Sequence, residues 1–374
     1  MGTLDLGGGL GIDYDGSGSA TDSSINYSLD QYASEIIYRV KSICDDAGVD
    51  HPDLITESGR ALVAHSGALV FQVLGHRVFP EEPDLELVGR ATEAEGSDVP
   101  QPLLDLVDAW ASLRSGGDPA EVYPDAEYAL GEIIGLFNLG YADLVARAAC
   151  EELYWAIAHR VAKVDPDELP EELHDLRERV GDLYFSNFSL FQSLIDSWAI
   201  GQVFPVMPLH RLDEEPTRRG TLVDITCDSD GKLDRFPLAE EVEHALPLHE
   251  LRPVEEPKVG ADVGLAGEFE PYYLAVFLTG AYQETLGDLH NLFGDTHVVH
   301  VAIDEAGDWT LAEVVEGDTV RDVLQYVQYN PDEMRRTLRR ETERAVKEGR
   351  LTLEEGVSMR RFLDDGIAGY TYLE

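Results

Sequence analysis

The sequence predicts an α+β chain of several domains that begins with the end of a (β/α)8 barrel. Three observations support this fold class. A strand–helix–strand unit occupies residues 4–56, and apolar residues with helical spacing dominate residues 102–181. Short strands, broken by glycine, proline and aspartate, fill residues 183–315, and helical spacing returns after residue 318. The 374 residues are enough for two or three domains.

The N-terminal unit combines two buried parallel strands, residues 4–6 and 53–56, with a helix between them. Ser28 and Asp30 are candidate N-caps of this helix. Its apolar residues form one stripe: Tyr32, Ile36, Ile37, Val40, Ile43 and Cys44. Barrel enzymes carry their sites at the C-terminal ends of the strands, so residues that follow these two strands are the first candidates for a site.

We expect five segments along the chain. The barrel end takes residues 1–67, and the first strand of a β-domain with a polar, proline-bearing linker takes residues 68–101. An inserted helical bundle follows at 102–181, then the β-domain, a barrel or sandwich, at 182–317, and a C-terminal helical region at 318–374. The clearest strands are Leu69–Leu74, Leu222–Thr226, Tyr273–Leu278 and His297–Ile303.

The chain is strongly acidic, with 73 Asp and Glu against 28 Lys and Arg and a net charge of -45. Disorder is not expected, because the acid is spread evenly and 44% of the residues are hydrophobic. The composition is typical of a surface adapted to high salt, although an acidic protein unrelated to salt is the alternative. Nucleic acids and anionic membranes are poor partners for such a charge.

The cysteines and the apolar runs indicate a cytoplasmic protein. The charge suggests that its organism is a halophile. Cys44, Cys150 and Cys227 are too few and too widely spaced for a disulfide framework or a metal site. No signal peptide is evident, and no apolar run reaches the ~18 residues that cross a membrane.

Three consecutive glycines, Gly7, Gly8 and Gly9, end the first strand, and Glu57 and Arg60 follow the second. Such a turn lets backbone N–H groups approach an anion closely. A phosphate cradle, a carboxylate and an arginine together suit pyridoxal phosphate, whose pyridine nitrogen a carboxylate keeps protonated. A tight turn alone is the plainer explanation of the glycines. A dinucleotide fingerprint fails, since Ile12 stands where its last glycine belongs.

The segment from Leu4 to Gly16 resembles the biosynthetic arginine decarboxylases of bacteria, a fold-type III family that uses pyridoxal phosphate. Further segments resemble the same family in the same order along the chain. They are Asn26–Tyr27, Ile55–Arg60, Leu136–Tyr141, Glu151–Trp155, Asn187–Ser193, Phe204–Pro208, Asp224–Gly231, Gly280–Glu284, His290–Asp295, Gly317–Val320, Leu324–Gln328 and Tyr370–Glu374. The resemblance implies an alanine-racemase-like barrel and a homodimer, or a higher homo-oligomer, with shared active sites. Mg²⁺ as a further cofactor is implied by the family resemblance alone, and no residues are assigned as its ligands.

The resemblance also implies roles for individual residues. The cofactor-binding residues would be Gly7, Gly8, Gly9, Glu57, Gly59, Arg60 and Tyr282. The substrate-binding residues would be Asp13, Tyr14, Asp228 and Asp230. The catalytic residues would be Cys227 as proton donor, Asp228 as substrate contact and Glu57 at the pyridine nitrogen. Plainer alternatives are an aspartate–glycine turn for Asp230 and a sheet-edge tyrosine for Tyr282. His290 and Asn291 lie in a matching segment without an assigned role.

The implied function is decarboxylation of L-arginine to agmatine and CO₂, which feeds polyamine synthesis. The chain departs from the family in its lysines, which are Lys41, Lys163, Lys232, Lys258 and Lys347. None lies in a segment that resembles the cofactor lysine, which the family carries upstream of the matched part. A separate barrel chain is therefore an expected partner. Two alternatives stay open: another fold-type III enzyme, such as an ornithine or diaminopimelate decarboxylase, and a non-catalytic remnant or binding protein.

The purified chain alone is expected to form no stable covalent adduct between a lysine and pyridoxal phosphate. The reason is that no lysine matches the cofactor lysine segment. Borohydride reduction followed by peptide mapping measures this, with a known pyridoxal phosphate enzyme as the positive control. One specifically labelled lysine in this chain would contradict the prediction.

Overall fold

The computed structural model describes residues 2–21, 23–93, 99–165, 168–238, 241–254 and 269–373. Its contacts divide the chain into two compact units. The first unit comprises Met1–Gly75, Tyr184–Glu215 and Leu222–Glu374, and the second comprises His76–Leu183 and Pro216–Thr221. The α+β architecture has barrel strands, a helical bundle, a barrel-like sheet and C-terminal helices, which confirms the predicted fold class.

The barrel end in the first unit consists of β1 (Thr3–Asp5), α1 (Leu29–Ala47) and β2 (Asp53–Ile55). The two strands pair in parallel, with Leu4 opposite Leu54. Ser28 caps α1 through a capping box with Gln31, as its sequence predicts. Asp30, the second candidate cap, lies in the first turn instead, where its carboxylate faces the positive end of the helix dipole.

The apolar stripe of α1 is mostly solvent-exposed. Of its six residues only Cys44 is buried, while the side chains of Ile37 and Ile43 are 56% and 68% exposed. The two strands beside it, which the sequence predicted to be buried, are likewise exposed or only partly buried among the residues described. They are only three residues long each and offer little apolar surface.

The second unit is a helical bundle. Its helices are α3 (Leu85–Thr92), α4 (Gln101–Arg114), α5 (Pro119–Asn138), α6 (Leu144–Ala162) and α7 (Leu176–Arg179), while α2 (Gly59–Val63) belongs to the first unit. Residues from all five helices fill one core around the fully buried Leu103, Ile133 and Ile157. Helix α3 lies within the segment 68–101, for which the sequence predicts a strand and a linker, and Asp84 caps this helix by accepting hydrogen bonds from two backbone N–H groups.

Seven strands of the described residues form one sheet. Its strands run in the order β10-β6-β4-β3-β11-β5, and β7 pairs with β6. The strands are β3 (Ala68–Arg77), β4 (Asp182–Ser186), β5 (Val206–Pro208), β6 (Arg218–Val223), β7 (Lys232–Leu233), β10 (Leu246–Leu248) and β11 (Tyr273–Phe277). A separate hairpin joins β8 (Phe236–Leu238) to β9 (Glu241–Glu243), and another joins β12 (Val298–Ile303) to β13 (Trp309–Val315).

Two short helices follow β4. They are α8 (Leu190–Ser193) and α9 (Ile195–Ile200). Beneath them lies a core that includes Phe71, Tyr184, Phe188, Phe204 and Leu274. Phe71 and Phe188 stack with their ring centroids 4.5 Å apart. The alternating burial of β3 gives this sheet its apolar face.

Three helices close the chain: α10 (Val320–Tyr326), α11 (Pro331–Lys347) and α12 (Leu353–Ala368). Thr319, Asn330 and Thr352 cap them through side-chain oxygens. The last described residues contact the segment that follows β4, where Asn187 exchanges hydrogen bonds with both backbone groups of Leu373. Among the residues described, no helix is both long and apolar enough to span a membrane.

The melting temperature of the chain should rise steeply with KCl concentration. At a net charge of -45 the carboxylates repel one another, over about 30 Å at 0.01 M salt but only about 3 Å at 1 M. Thermal unfolding followed by circular dichroism from low to molar salt measures this. A melting temperature that does not change over this range would remove support for adaptation to high salt. Sucrose, which does not screen charge, is the control for general solvent stabilisation.

Candidate active site

The glycine turn after β1 leaves two backbone N–H groups free. Gly7 and Gly9 have φ of 70° and 94°, which favours glycine at both positions. The carbonyl of Gly7 accepts from the N–H of Glu57 at 2.8 Å, and a Cβ on Gly8 would lie 3.0 Å from the Glu57 carbonyl oxygen. In the described part of the chain, the N–H groups of Gly8 and Gly9 have no acceptor. The turn therefore resembles an anion-binding loop.

Arg60 lies in the first turn of α2, after β2, and its guanidinium contacts three side chains. It donates to the hydroxyl of Tyr14 at 2.9 Å and to the carboxylate of Asp196 at 3.2 Å, and its Cζ lies 4.7 Å from the ring centroid of Tyr282. Although partial burial opposes the shift, Tyr14 and Asp196 raise the pKa of Arg60. With partners among the described residues, Arg60 uses two of the five N–H groups of its guanidinium, which leaves three for a ligand.

Asp196 is buried at the start of α9 and is held from two sides. Its backbone N–H donates to Oε1 of Gln283 at 3.1 Å, while Nε2 of Gln283 donates back to its carboxylate at 3.0 Å. Nε2 of Gln283 also donates to the carbonyl of Ala281. The Asp196 carboxylate is thus oriented toward Arg60 by an amide that is itself fixed.

Tyr282 follows a close backbone crossing. A Cβ on Gly280 would lie 2.0 Å from the carbonyl oxygen of Val63, so this position accepts only glycine. Tyr282 itself has φ of 71°, an uncommon conformation for an aromatic residue, and its side chain is exposed. The structure therefore brings together Arg60 and Tyr282, two of the predicted cofactor-binding residues.

Glu57 and Gly59 lie where β2 ends, next to the glycine turn. The side chain of Glu57 is exposed, and its backbone N–H is fixed on Gly7. Gly59 opens α2. The structure therefore places the predicted carboxylate beside the predicted phosphate cradle, at the C-terminal ends of two parallel strands.

The two predicted substrate residues after the turn have different surroundings. Tyr14 is buried, packs edge-on against Phe204 with centroids 5.5 Å apart, and accepts from Arg60. The carboxylate of Asp13 accepts from the hydroxyl of Ser24 at 2.8 Å and stabilises the loop that follows. Only Asp13 is therefore exposed enough for direct contact with a ligand.

The loop after β6 carries Cys227, Asp228 and Asp230, and a buried carboxylate shapes it. Asp224 accepts from the N–H of Leu190 at 2.8 Å and from both the N–H and the hydroxyl of Thr226. Burial raises the pKa of Asp224, and these hydrogen bonds oppose the shift. A Cβ on Gly231 would lie 2.2 Å from the Asp224 carboxylate, so the loop closes tightly.

The exposed residues of this loop meet His290 and Asn291. The N–H of Cys227 donates to Oδ1 of Asn291 at 3.0 Å, and Nδ2 of Asn291 lies 3.6 Å from the Cys227 sulfur. Nε2 of His290 lies 3.9 Å from the Asp228 carboxylate, which is too long for a hydrogen bond. Asp230 accepts from the Trp198 indole N–H at 3.4 Å.

The short helix α9 connects the two groups of candidate residues. It carries Asp196, which holds Arg60, and Trp198, which contacts Asp230. The Phe191 ring packs on Trp198 with centroids 5.4 Å apart and on His290 at 4.6 Å. The Arg60 cluster and the Cys227 loop therefore both contact α9, which packs against the Phe191 ring.

Sequence reasoning missed Asp196, Gln283 and Trp198. A signal for the first was present, because Asp196 is the only charged residue in the apolar stretch from Leu190 to Ile200. A single charge in such a stretch is usually paired when buried. Gln283 lies within a segment that carries the family resemblance, beside Tyr282, but no local pattern indicated its partner.

The described residues fit pyridoxal phosphate. Free N–H groups at the glycine turn and the Arg60 guanidinium suit a phosphate, while exposed Glu57 suits a pyridine nitrogen. Two described lysines are engaged elsewhere, since Lys163 pairs with Glu81 at 2.5 Å and Lys232 with Asp234 at 2.7 Å. In the described ranges, no group of three or more His, Cys, Asp and Glu side chains is arranged to hold a metal.

Family comparisons match three parts of the chain. Residues 1–64 match the pyridoxal binding domain of pyridoxal-dependent decarboxylases. Residues 96–177 match the arginine decarboxylase helical bundle domain, and residues 320–373 match the arginine decarboxylase C-terminal helical extension. The three matches together cover the strand–turn–helix unit, the bundle and the last helices.

Individual relatives give the same result over the full chain. A biosynthetic arginine decarboxylase from Bacteroides thetaiotaomicron is 44% identical over 99% of this chain and 56% of its own length. One from Rhodopirellula baltica is 42% identical over 99% of this chain and 57% of its own. The crystal structure of the biosynthetic arginine decarboxylase from Campylobacter jejuni matches with a TM-score of 0.73 and 30% identity, covering all of this chain and 56% of that one.

The fold matches the architecture of the fold-type III, pyridoxal-phosphate-dependent decarboxylases. Within that class, the chain belongs to the biosynthetic arginine decarboxylase family. It spans about half the length of the relatives that it matches. The family that its sequence segments resemble is thereby confirmed.

Replacing Asp196 with alanine should lower the free energy of unfolding by about 1–3 kcal/mol, because it removes one acceptor from the Arg60 guanidinium and one from the Gln283 amide. The two charged side chains are only 26% and 11% exposed. Urea unfolding in molar KCl measures the loss.

The matched control for this prediction is Glu35→Ala on α1. It breaks the Glu35–Arg39 pair, whose side chains are 62% and 74% exposed, so its effect should stay within about 0.5 kcal/mol. Equal effects of the two substitutions would show that the Arg60–Asp196 pair does not stabilise the fold.

Proposed function

We propose that the chain contributes to decarboxylation of L-arginine to agmatine and CO₂, a reaction that feeds polyamine synthesis. The proposal is supported by the relatives, which are named biosynthetic arginine decarboxylases. The observation that carries it is the arrangement around α9, where a phosphate-type cluster at Arg60 and a loop with a thiol and two carboxylates share one support.

The cofactor end of the proposed site comprises the glycine turn, Glu57, Gly59, Arg60 and Tyr282. Bound pyridoxal phosphate would supply an electron sink for the carbon that loses CO₂. The free N–H groups of the turn and the free N–H groups of Arg60 would hold the phosphate, with the hydroxyl of Tyr282 beside them. Glu57 would hold a proton at the pyridine nitrogen. Tyr14 would act by orienting Arg60.

The substrate end comprises Asp228 and Asp230, with Asp13 as a further contact. A guanidinium is recognised best by a carboxylate, which can accept two parallel hydrogen bonds. The Asp228 carboxylate accepts from the N–H of Asp230, two residues further on, and still presents a second oxygen. The acidic loop therefore favours a substrate with a cationic end.

Cys227 would deliver the proton that replaces the lost carboxylate. Its S–H bond breaks as the new C–H bond at the substrate carbon forms, and the thiolate regains a proton from water. The thiol suits this role because Cys227 is exposed, whereas Cys44 and Cys150 are buried. Burial raises the pKa of the Cys150 thiol to about 12, which makes it a poor acid at neutral pH.

The complete enzyme would be a homodimer or a higher homo-oligomer with shared active sites, as the resemblance implies. A lysine-bearing barrel, on a separate chain or a longer one, would complete the cofactor site. The acidic composition supports the proposal that the enzyme is active in a cytoplasm of high ionic strength. A magnesium requirement stays a prediction from the resemblance alone.

In the enzyme completed with a cofactor-lysine barrel, Cys227→Ala should lower the turnover number by about 10²–10⁴-fold, the usual contribution of a positioned acid. Product identity should change as well. If Cys227 did not deliver the proton to the substrate carbon, part of the product would be an aldehyde, formed with the uptake of water, in place of agmatine. Chromatography of agmatine and aldehyde from L-arginine measures both effects, with L-ornithine and diaminopimelate as competing substrates.

The control for Cys227→Ala is Cys44→Ala, which removes a buried thiol on α1 and costs packing only. Equal product ratios in the two variants, with nearly full rate in Cys227→Ala, would remove Cys227 from the mechanism. Faster decarboxylation of L-ornithine or diaminopimelate than of L-arginine would assign the chain to one of the other decarboxylases. No reaction with any of the three would favour a non-catalytic protein.

A further inference from the structure

We propose that Asn291 positions the thiol of Cys227, an inference that rests on the proposed role of this cysteine. One amide makes two contacts with the same residue: Oδ1 accepts from the Cys227 backbone N–H at 3.0 Å, and Nδ2 donates to Sγ across 3.6 Å. An amide carries a strong acceptor and a donor on one rigid group. Asn291 therefore fixes the backbone and the side chain of Cys227 together.

The backbone of Asn291 is held in a conformation that suits this task. Its φ and ψ are 54° and 19°, and Leu292 after it has φ of 62°. Left-handed conformations are uncommon outside glycine, although asparagine adopts them more readily than most residues. Two in succession are retained only where the surroundings hold them in place. The turn at residues 290–292 thus points the amide at the sulfur.

The C-terminal segment holds the far end of this turn. The N–H of Gly294 donates to the hydroxyl of Thr371 at 3.1 Å, and the hydroxyl of Tyr372 donates to the Gly294 carbonyl at 2.9 Å. The rings of Phe293 and Tyr372 stack with centroids 5.2 Å apart. Tyr372 is buried, so these contacts are shielded from water. The end of the chain therefore stabilises the turn that carries Asn291.

The chemical reason for such a device lies in proton delivery. A free cysteine side chain rotates among three staggered positions, and only one of them presents the proton to a given carbon. An N–H group directed at sulfur selects one rotamer and stabilises the negative charge left on sulfur after the proton has gone. The negative carboxylate of Asp228, the next residue, would destabilise a thiolate at Cys227. A donor fixed on the sulfur, such as the Asn291 amide, offsets this repulsion better than a mobile water molecule.

The test measures the thiol without turnover, by alkylating the native, purified chain with iodoacetamide at fixed pH and molar KCl. Mass spectrometry follows the peptide with Cys227, the exposed one of the three cysteines. Asn291→Asp keeps the acceptor for the backbone N–H but replaces the donor by a negative charge. It should slow alkylation of Cys227 by roughly three- to tenfold, the equivalent of one net hydrogen bond.

Asn330→Asp is the matched control, because it adds the same charge at the N-cap of α11, where aspartate caps equally well. Its alkylation rate should equal that of the unmodified chain. Asn291→Gly accepts the left-handed backbone without strain and removes both contacts, so it covers the case in which Asn291→Asp does not fold. Tyr372→Phe should slow alkylation by less than Asn291→Asp.

An alkylation rate in folded Asn291→Asp or Asn291→Gly that equals the Asn330→Asp rate, or exceeds it, would overturn the inference. In the completed enzyme, Asn291→Asp should raise the share of aldehyde while KM for L-arginine stays within about twofold, well below the effect of one hydrogen bond. An unchanged product ratio would also overturn the inference. Absence of agmatine from the unmodified enzyme would instead reject the proposed function, so the two failures are distinguishable.

Discussion

The ion pair between Arg60 and Asp196 determines how the candidate site is assembled. A guanidinium that is mostly removed from water needs an acceptor, and the buried carboxylate of Asp196 provides one that Gln283 holds in place. Because Asp196 opens α9 and Trp198 follows in the same helix, this pair also fixes the support of the Cys227 loop. The strand ends with the glycine turn and the acidic loop are therefore linked through one short helix.

Local sequence patterns were sufficient for the elements that carry the cofactor end. Three glycines after an apolar strand predict the turn, and the capping residue Ser28 marks the start of α1. The helical spacing of apolar residues was a poor guide where no apolar surface covers the helix. In α1, Ile37 and Ile43 of the apolar stripe are exposed beside two strands of three residues. Helix α3 was missed because glutamate and proline around Asp84 resemble a linker, although this aspartate is a cap.

Contacts between distant positions were beyond those patterns. Asp196 lies 136 residues from Arg60, and Asn291 lies 64 residues from Cys227. Nothing in the spacing around either residue specifies its partner, because short helices and irregular turns lack the periodicity that predicts faces. Resemblance to a family located the segments but did not say which side chains meet. Only the fold shows that an amide and a thiol, or an acid and a guanidinium, are neighbours.

The extreme charge of the chain explains why these short contacts matter. A net charge of -45 repels an anionic cofactor at long range, while it attracts a substrate with a cationic end. High salt screens both effects beyond a few ångströms, so binding must then depend on direct contacts. At the phosphate end these are the free N–H groups of Gly8 and Gly9 and the three N–H groups that Arg60 retains. Asp196 neutralises part of the Arg60 charge, but it also orients the guanidinium. A guanidinium that is fixed on one edge presents its remaining N–H donors in a defined direction.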